Sequence, residues 1–169
     1  IETSSNVGSV ALRVDGEVRA REMASPREQT EQLLRLVDES LAAAGLGLAE
    51  LDGIVFGRGP GSFTGLRIGL VTARVLGAAL SVPVYGMCSL DVMARRVTAD
   101  GPFLVATDAR RREVYWAAYD AAGRRIDGPA VGAPADVATN LPVAGEGPRL
   151  YPEAFPNPVR PQYPDAGEL

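Results

Sequence analysis

Four glycines and a proline fall within nine residues at Gly57-Arg58-Gly59-Pro60-Gly61-Ser62-Phe63-Thr64-Gly65, and a long apolar stretch follows to Leu80. A strand, a glycine-rich turn and a helix in that order can gather backbone N–H groups at the positive end of the helix, where an anion would sit. The loop has no lysine where a phosphate loop of the G-x-x-x-x-G-K-[ST] kind needs one, because Arg67 lies past its end. Tight backbone geometry is the simpler use of these glycines. The other groups with chemistry to offer are few. All 17 basic residues are arginine, and the chain has no histidine. That composition excludes a lysine Schiff base, a Ser-His or Cys-His pair and a histidine metal site. Cys88 is the single cysteine and lies beside Met87 without a basic neighbour in sequence, the pattern of an inert core thiol in a reducing compartment. Arg110, Arg111 and Arg112 form a basic run, which reads as a solvated loop; contact with a phosphate of nucleic acid or nucleotide is the sharper alternative. Tyr115, Trp116 and Tyr119 alternate along a strand and read as sheet cover rather than a base-stacking platform.

The elements that must position these groups can be read from periodicity. Ile54–Phe56 is a short buried strand before the glycine loop. From Gly65 to Leu80 only Arg67, Thr72 and Arg74 interrupt the apolar residues, so the helix is expected to be covered on nearly every side. Gly69, Ala73 and Gly77, four apart, form a stripe of small residues suited to a close helix crossing, either inside the domain or with another chain. Before it, Ile1–Ser5 reads as a strand end and polar turn. Val10, Leu12 and Val14 alternate as a half-buried strand, Asp15-Gly16 makes a hairpin turn, and Glu17–Met23 returns. Ser25, Pro26 and Glu28 mark a helix start, Leu33, Val37 and Leu41 fall on its buried stripe, and Gly45 ends it. A strand over Val82–Met87 and a short helix from Ser89 to Val97 follow.

Past Gly101 the plan repeats: a strand at Phe103–Thr107, a polar turn at Asp108-Ala109-Arg110, and strands at Glu113–Tyr119 and Arg124–Ile126. The repeated strand meander implies an α/β protein of two like domains, residues 1–100 and 101–169. Nine of the 13 prolines lie from Pro129 onward, where no capped helix is legible. The second domain is therefore expected to be incomplete, with something further covering its sheet. The net charge of −4 does not suggest a broad grip on nucleic acid. No run reaches the roughly 18 uncharged apolar residues of a membrane span.

The stretch Gly59-Pro60-Gly61-Ser62-Phe63-Thr64-Gly65-Leu66-Arg67-Ile68-Gly69 resembles the signature of the TsaB (YeaZ) family. Ile1-Glu2-Thr3-Ser4-Ser5, Pro26-Arg27-Glu28, Leu51-Asp52, Asp108-Ala109-Arg110 and Glu113-Val114-Tyr115 fit it too, so the resemblance covers most of residues 1–120. It implies the actin-like ATPase fold, of ribonuclease H-like type, in two duplicated domains. It also implies a non-catalytic subunit that pairs with the catalytic subunit TsaD, with the ATPase TsaE, in threonylcarbamoyl transfer to the adenosine beside the anticodon of tRNA. The partner surface would then comprise Leu33, Val37 and Leu41 with Arg67, Gly69, Leu70, Ala73, Arg74 and Gly77, and the same surface would allow a homodimer. Thr3 and Ser4, with Gly59, Gly61 and Ser62, would stand at the inherited nucleotide cleft, and Asp108 would be its second-domain carboxylate. Glu2 stands where many members have aspartate, which makes a working cleft less expected. The resemblance thus implies no catalytic residue, no metal ligand and no cofactor of the chain's own, ATP or ADP with magnesium belonging to the complex. It implies a cytoplasmic protein that reaches tRNA only through that complex and touches no membrane. An ATP-binding phosphotransferase of the same fold is the alternative reading, and a glycoprotease-like metallopeptidase a third that lacks its histidines.

Overall fold

The computed structural model describes residues 1–23 and 29–169. The expected helix start at Ser25, Pro26 and Glu28 lies outside them. The chain divides into two compact units: residues 1–89 with 165–169, and residues 90–164.

In the first unit, strands β1 (Gly8–Val14) and β2 (Glu17–Met23) form an antiparallel hairpin. Its turn takes positive φ at Asp15 and Gly16, as the Asp-Gly pair requires. Helix α1 (Gln29–Ala44) follows. Leu33, Leu36, Val37 and Leu41 pack with Val10 of β1 in one buried cluster. Each of these side chains contributes roughly 1.5–3 kcal/mol by leaving water. The helix ends where Gly45 turns to φ +73° and Leu46 N–H closes onto the Leu41 carbonyl. Strands β3 (Ile54–Gly57) and β4 (Val84–Met87) are parallel neighbours, and α2 (Phe63–Leu80) connects them. Residues 1 and 2 tie the two ribbons together. Glu2 bridges Ser9 of β1, while the Ile1 N–H donates to the Val55 carbonyl and the Ile1 carbonyl accepts from Gly57 N–H.

Helix α2 begins two residues earlier than periodicity predicts. Ser62 is its cap, accepting from Gly65 N–H through Oγ. It is long and apolar enough to cross a membrane by length and composition alone. Here it is seated on β3 and β4 instead. Gly65, Gly69, Ala73 and Gly77 are its buried residues. A Cβ on Gly69 would collide with the Thr3 hydroxyl, and one on Gly77 with the Val84 side chain. The small-residue stripe therefore faces strands of its own unit, which corrects the expectation that Gly69, Ala73 and Gly77 cross a partner helix. Nor is α2 covered all round: Phe63 is 80% exposed, Val75 60%, Val71 52% and Leu70 38%.

The second unit holds a four-stranded sheet in the order β7-β6-β5-β8. It is built from β5 (Phe103–Arg110), β6 (Glu113–Tyr119), β7 (Arg125–Gly132) and β8 (Val143–Ala144). Strand β5 runs on through Asp108–Arg110, where a turn is predicted, and the turn falls at Arg111 and Arg112. Phe103 and Tyr119 stack across β5 and β6 with ring centroids 5.3 Å apart. The Tyr119 hydroxyl donates to Asp91 of the short helix α3 (Ser89–Ala94), and Arg125 clasps the same carboxylate at 3.0 Å. The other face, Leu104, Ala106, Val114 and Val143, is covered by Ala154 and fully buried Phe155. Cover for that face thus comes from the proline-rich segment itself. It carries only short helical turns, such as α4 (Gly147–Leu150), because its prolines remove the donors a longer helix needs.

Candidate functional site

The glycine loop closes over the turn at Thr3-Ser4, and the contact is backbone against backbone. The Ser62 N–H donates to the Ser4 carbonyl at 2.8 Å, and a Cβ on Gly61 would strike that same carbonyl. Gly61 is therefore glycine for close approach, whereas the left-handed position is Gly59, at φ +88°. Gly61→Ala is expected to cost about 2–3 kcal/mol, because the obstructing atom is backbone and cannot rotate away. Urea unfolding checks this, and an unchanged midpoint would show that the loop simply moves aside.

Beneath the loop lies Glu2, with no exposed surface. Its carboxylate accepts from Ser4 N–H at 2.7 Å and from the Ser89 hydroxyl at 2.9 Å. The Ser89 hydroxyl in turn accepts from Gly59 N–H, and Ser89 N–H donates to the Gly59 carbonyl. The Thr3 hydroxyl donates to the Gly65 carbonyl. The strand end, the glycine loop and the end of β4 are thus knotted by one buried polar network. The consequence is chemical: the Ser4 N–H and the Thr3 hydroxyl, which an anion would need, are already engaged inside the protein. The one hydroxyl against the Glu2 carboxylate, that of Ser89, is itself buried and also accepts from Gly59 N–H, so it is held inside this network.

At the far end of β5, in the second unit, Asp108 accepts from Arg110 N–H at 2.7 Å and pairs with its guanidinium at 2.9 Å. Glu146 follows β8 and is 4% exposed. Burial pushes its carboxyl above the usual range, the neighbouring Asp108 charge adds to this, and Arg149 opposes it. A carboxyl raised on folding binds its proton more tightly in the native state. Stability therefore falls as pH rises from the ordinary glutamate value of 4.5 through the folded value. Glu146→Gln is expected to raise the melting temperature at neutral pH and to lose that advantage near the ordinary glutamate pKa. Thermal melts at the two pH values check it; an equal effect at both would mean the carboxyl is not held protonated by folding. Among the described residues no three histidine, cysteine or acidic side chains gather where a metal ion could be held.

The third feature is the outward face of α2. Phe63, Arg67, Leu70, Val71, Arg74, Val75 and Ala78 are all exposed. They recur at helical spacing, so they make one continuous apolar strip with two guanidiniums in it.

A family model for TsaD, described as tRNA N6-adenosine threonylcarbamoyltransferase, matches residues 22–162. The chain is 41% identical over 122 residues to the tRNA threonylcarbamoyladenosine biosynthesis protein TsaB of Escherichia coli, covering 70% of this chain and 53% of that one. The solved structure of YeaZ from Pseudomonas aeruginosa superposes with a TM-score of 0.87 at 32% identity, over 99% of this chain and 85% of that one. This chain belongs to the TsaB (YeaZ) family. An uncharacterised Mycobacterium leprae protein is 54% identical over 121 residues, 70% of this chain and 33% of that protein. The chain thus spans a third of that relative's length and about half of the Escherichia coli TsaB.

Within this TsaB-family chain the sequence-predicted groups separate. Thr3, Ser4, Gly59, Gly61 and Ser62 do come together in the first unit, with Thr3, Ser4 and Gly59 buried and Ser62 exposed. Asp108 belongs to the second unit, where it closes a hairpin. Of the expected partner surface, Leu33, Val37 and Leu41 are core residues against Val10, and Gly69, Ala73 and Gly77 are buried under α2. Arg67, Leu70 and Arg74 remain outside, joined by Phe63, Val71 and Val75. Two polar residues of these sites escape periodicity. Ser89 reads as a helix cap but serves Glu2 and Gly59. Glu146 is flagged only by the glycines on either side of it, Gly145 and Gly147, both pressed against Ala106.

Proposed function

We propose that this chain is a non-catalytic scaffold subunit in the biosynthesis of threonylcarbamoyladenosine in tRNA. It binds the catalytic subunit TsaD, acts with the ATPase TsaE, and supports transfer of the threonylcarbamoyl group to the adenosine next to the anticodon. The observation that carries the reading is the outward strip of α2, with Phe63 at 80% and Val75 at 60% exposure. A solvent-facing helix would not keep such residues without a partner to bury them. The match to a TsaD family model favours a partner of like fold, so that the same helix from each chain meets about a pseudo-twofold axis. A homodimer through that strip is the state expected when TsaD is absent.

Within this reading the fold is the actin-like duplication. The protein is cytoplasmic and carries no cofactor. ATP or ADP with magnesium belongs to the partners, since the Thr3-Ser4 turn spends its donors internally. Gel filtration of the purified chain with TsaD tests the proposal. Co-elution is expected; separate elution at micromolar concentrations of both would overturn it. Calorimetric titration with ATP and magnesium separates the phosphotransferase alternative, which requires binding and turnover by this chain alone.

A further inference from the structure

The β5–β6 hairpin turns on two residues, Arg111 and Arg112, between the paired residues Arg110 and Glu113. Its φ angles are +63° at Arg110, +52° at Arg111 and +64° at Arg112. Three consecutive side-chain-bearing residues thus occupy the left-handed region, where glycine or asparagine is at ease and arginine is not. A two-residue hairpin of this hand is ordinarily closed by Asn-Gly or Asp-Gly. This same chain uses Asp15-Gly16 in that role at the β1–β2 hairpin. Arg110 has an ion pair with Asp108 to offset this strain, whereas at Arg111 and Arg112 no ion pair or hydrogen bond among the described residues does so. A local rule broken without a structural return points to use in function.

The charges around the tip are not balanced. Arg110 is held by Asp108 at 2.9 Å, and Arg149 lies 4.0 Å from buried Glu146. Glu113 flanks the turn on the β6 side. Arg111 and Arg112 are exposed, and among the described residues neither guanidinium has an ion pair or hydrogen bond. The chain carries net charge −4, so these two are local and not part of a general positive field. Guanidiniums present forked, planar donors that suit phosphate oxygens.

We propose that the hairpin tip at Arg111 and Arg112 is a contact for the phosphate backbone of RNA. This rests on the tRNA-directed role proposed above and goes beyond it, by giving this chain an RNA contact of its own. The tip supplies charge and position, not sequence discrimination.

The test is the double variant Arg111→Asn/Arg112→Gly, which restores the favoured turn. Fluorescently labelled tRNA transcript is titrated with the full chain across ~50 to ~200 mM salt. The wild-type chain is expected to bind, and the variant to bind about tenfold more weakly at the low end, with a salt slope smaller by roughly 2. The variant's melting temperature is expected to rise, by about 2–4 °C, so that weaker binding cannot be laid to unfolding. Its co-elution with TsaD is expected to be unchanged. No RNA binding by the wild-type chain, or an equal slope in the two proteins, overturns the proposal. So does loss of TsaD binding with RNA binding intact, which would make the tip a protein contact. Should the wild-type chain bind RNA through the tip but never co-elute with TsaD, the scaffold reading fails while this one stands.

Discussion

Replacing Val71 and Val75 of the α2 outer strip with glutamate is expected to abolish co-elution with TsaD while leaving the fold intact. Both side chains are more than half exposed, at 52% and 60%. Neither touches the buried stripe of Gly69, Ala73 and Gly77 on the opposite side of the helix. Glutamate is at least as good a helix former as valine, so stability should move by no more than about 0.5 kcal/mol. At a packed interface centre each lost apolar anchor is worth about 2 kcal/mol, and burying an unpaired carboxylate adds to it. The two changes should therefore weaken pairing by a factor on the order of 10³. Gel filtration and circular dichroism of the same sample read both quantities. Co-elution at wild-type affinity would move the interface off this helix. If the isolated wild-type chain is a dimer and the variant a monomer, the same strip also joins two copies.

Ala73→Trp is expected to unfold the first unit. Ala73 has no exposed surface. It lies between two glycines whose missing Cβ atoms are already claimed by Thr3 and Val84. An indole there must lift α2 off the sheet. That displacement would also tear the Ser62–Ser4 and Thr3–Gly65 hydrogen bonds that hold the glycine loop. The cost should be at or above the ~3 kcal/mol that overfilled cores usually show. The measurement is the denaturation midpoint of the isolated chain. A monomer of wild-type stability that fails to pair would instead restore the small-residue stripe as the partner surface. This result and the valine variants together separate the two faces of one helix, because each predicts damage of a different kind.

Why the two faces exchange roles shows how far a sequence alone reaches here. Strands, hairpins and helices were legible because their signals are local: the alternation of Val10, Leu12 and Val14, the Asp15-Gly16 turn, and the glycine-rich run before a long apolar stretch. The same run carries the family signature. Periodicity also states which residues of α2 share a stripe. It does not state which stripe lies on the sheet, since nearly every position is apolar and each face would serve. Close approach decides that: a helix whose residues lack bulk can rest on Thr3 and Val84, so the small face turns inward and Phe63, Val71 and Val75 are left outside. The polar groups follow the same division. Glu2, Ser89 and Gly59 are far apart along the chain, and only the tertiary structure joins them in one hydrogen-bonded knot. The arginine run at residues 110–112 is plain in the sequence, but its left-handed backbone is not. Pairing of β5 with β6 forces the reversal onto Arg111 and Arg112, because the register shift between Asp108 and Arg110 pairs Arg110 with Glu113 and leaves only those two residues to make the turn.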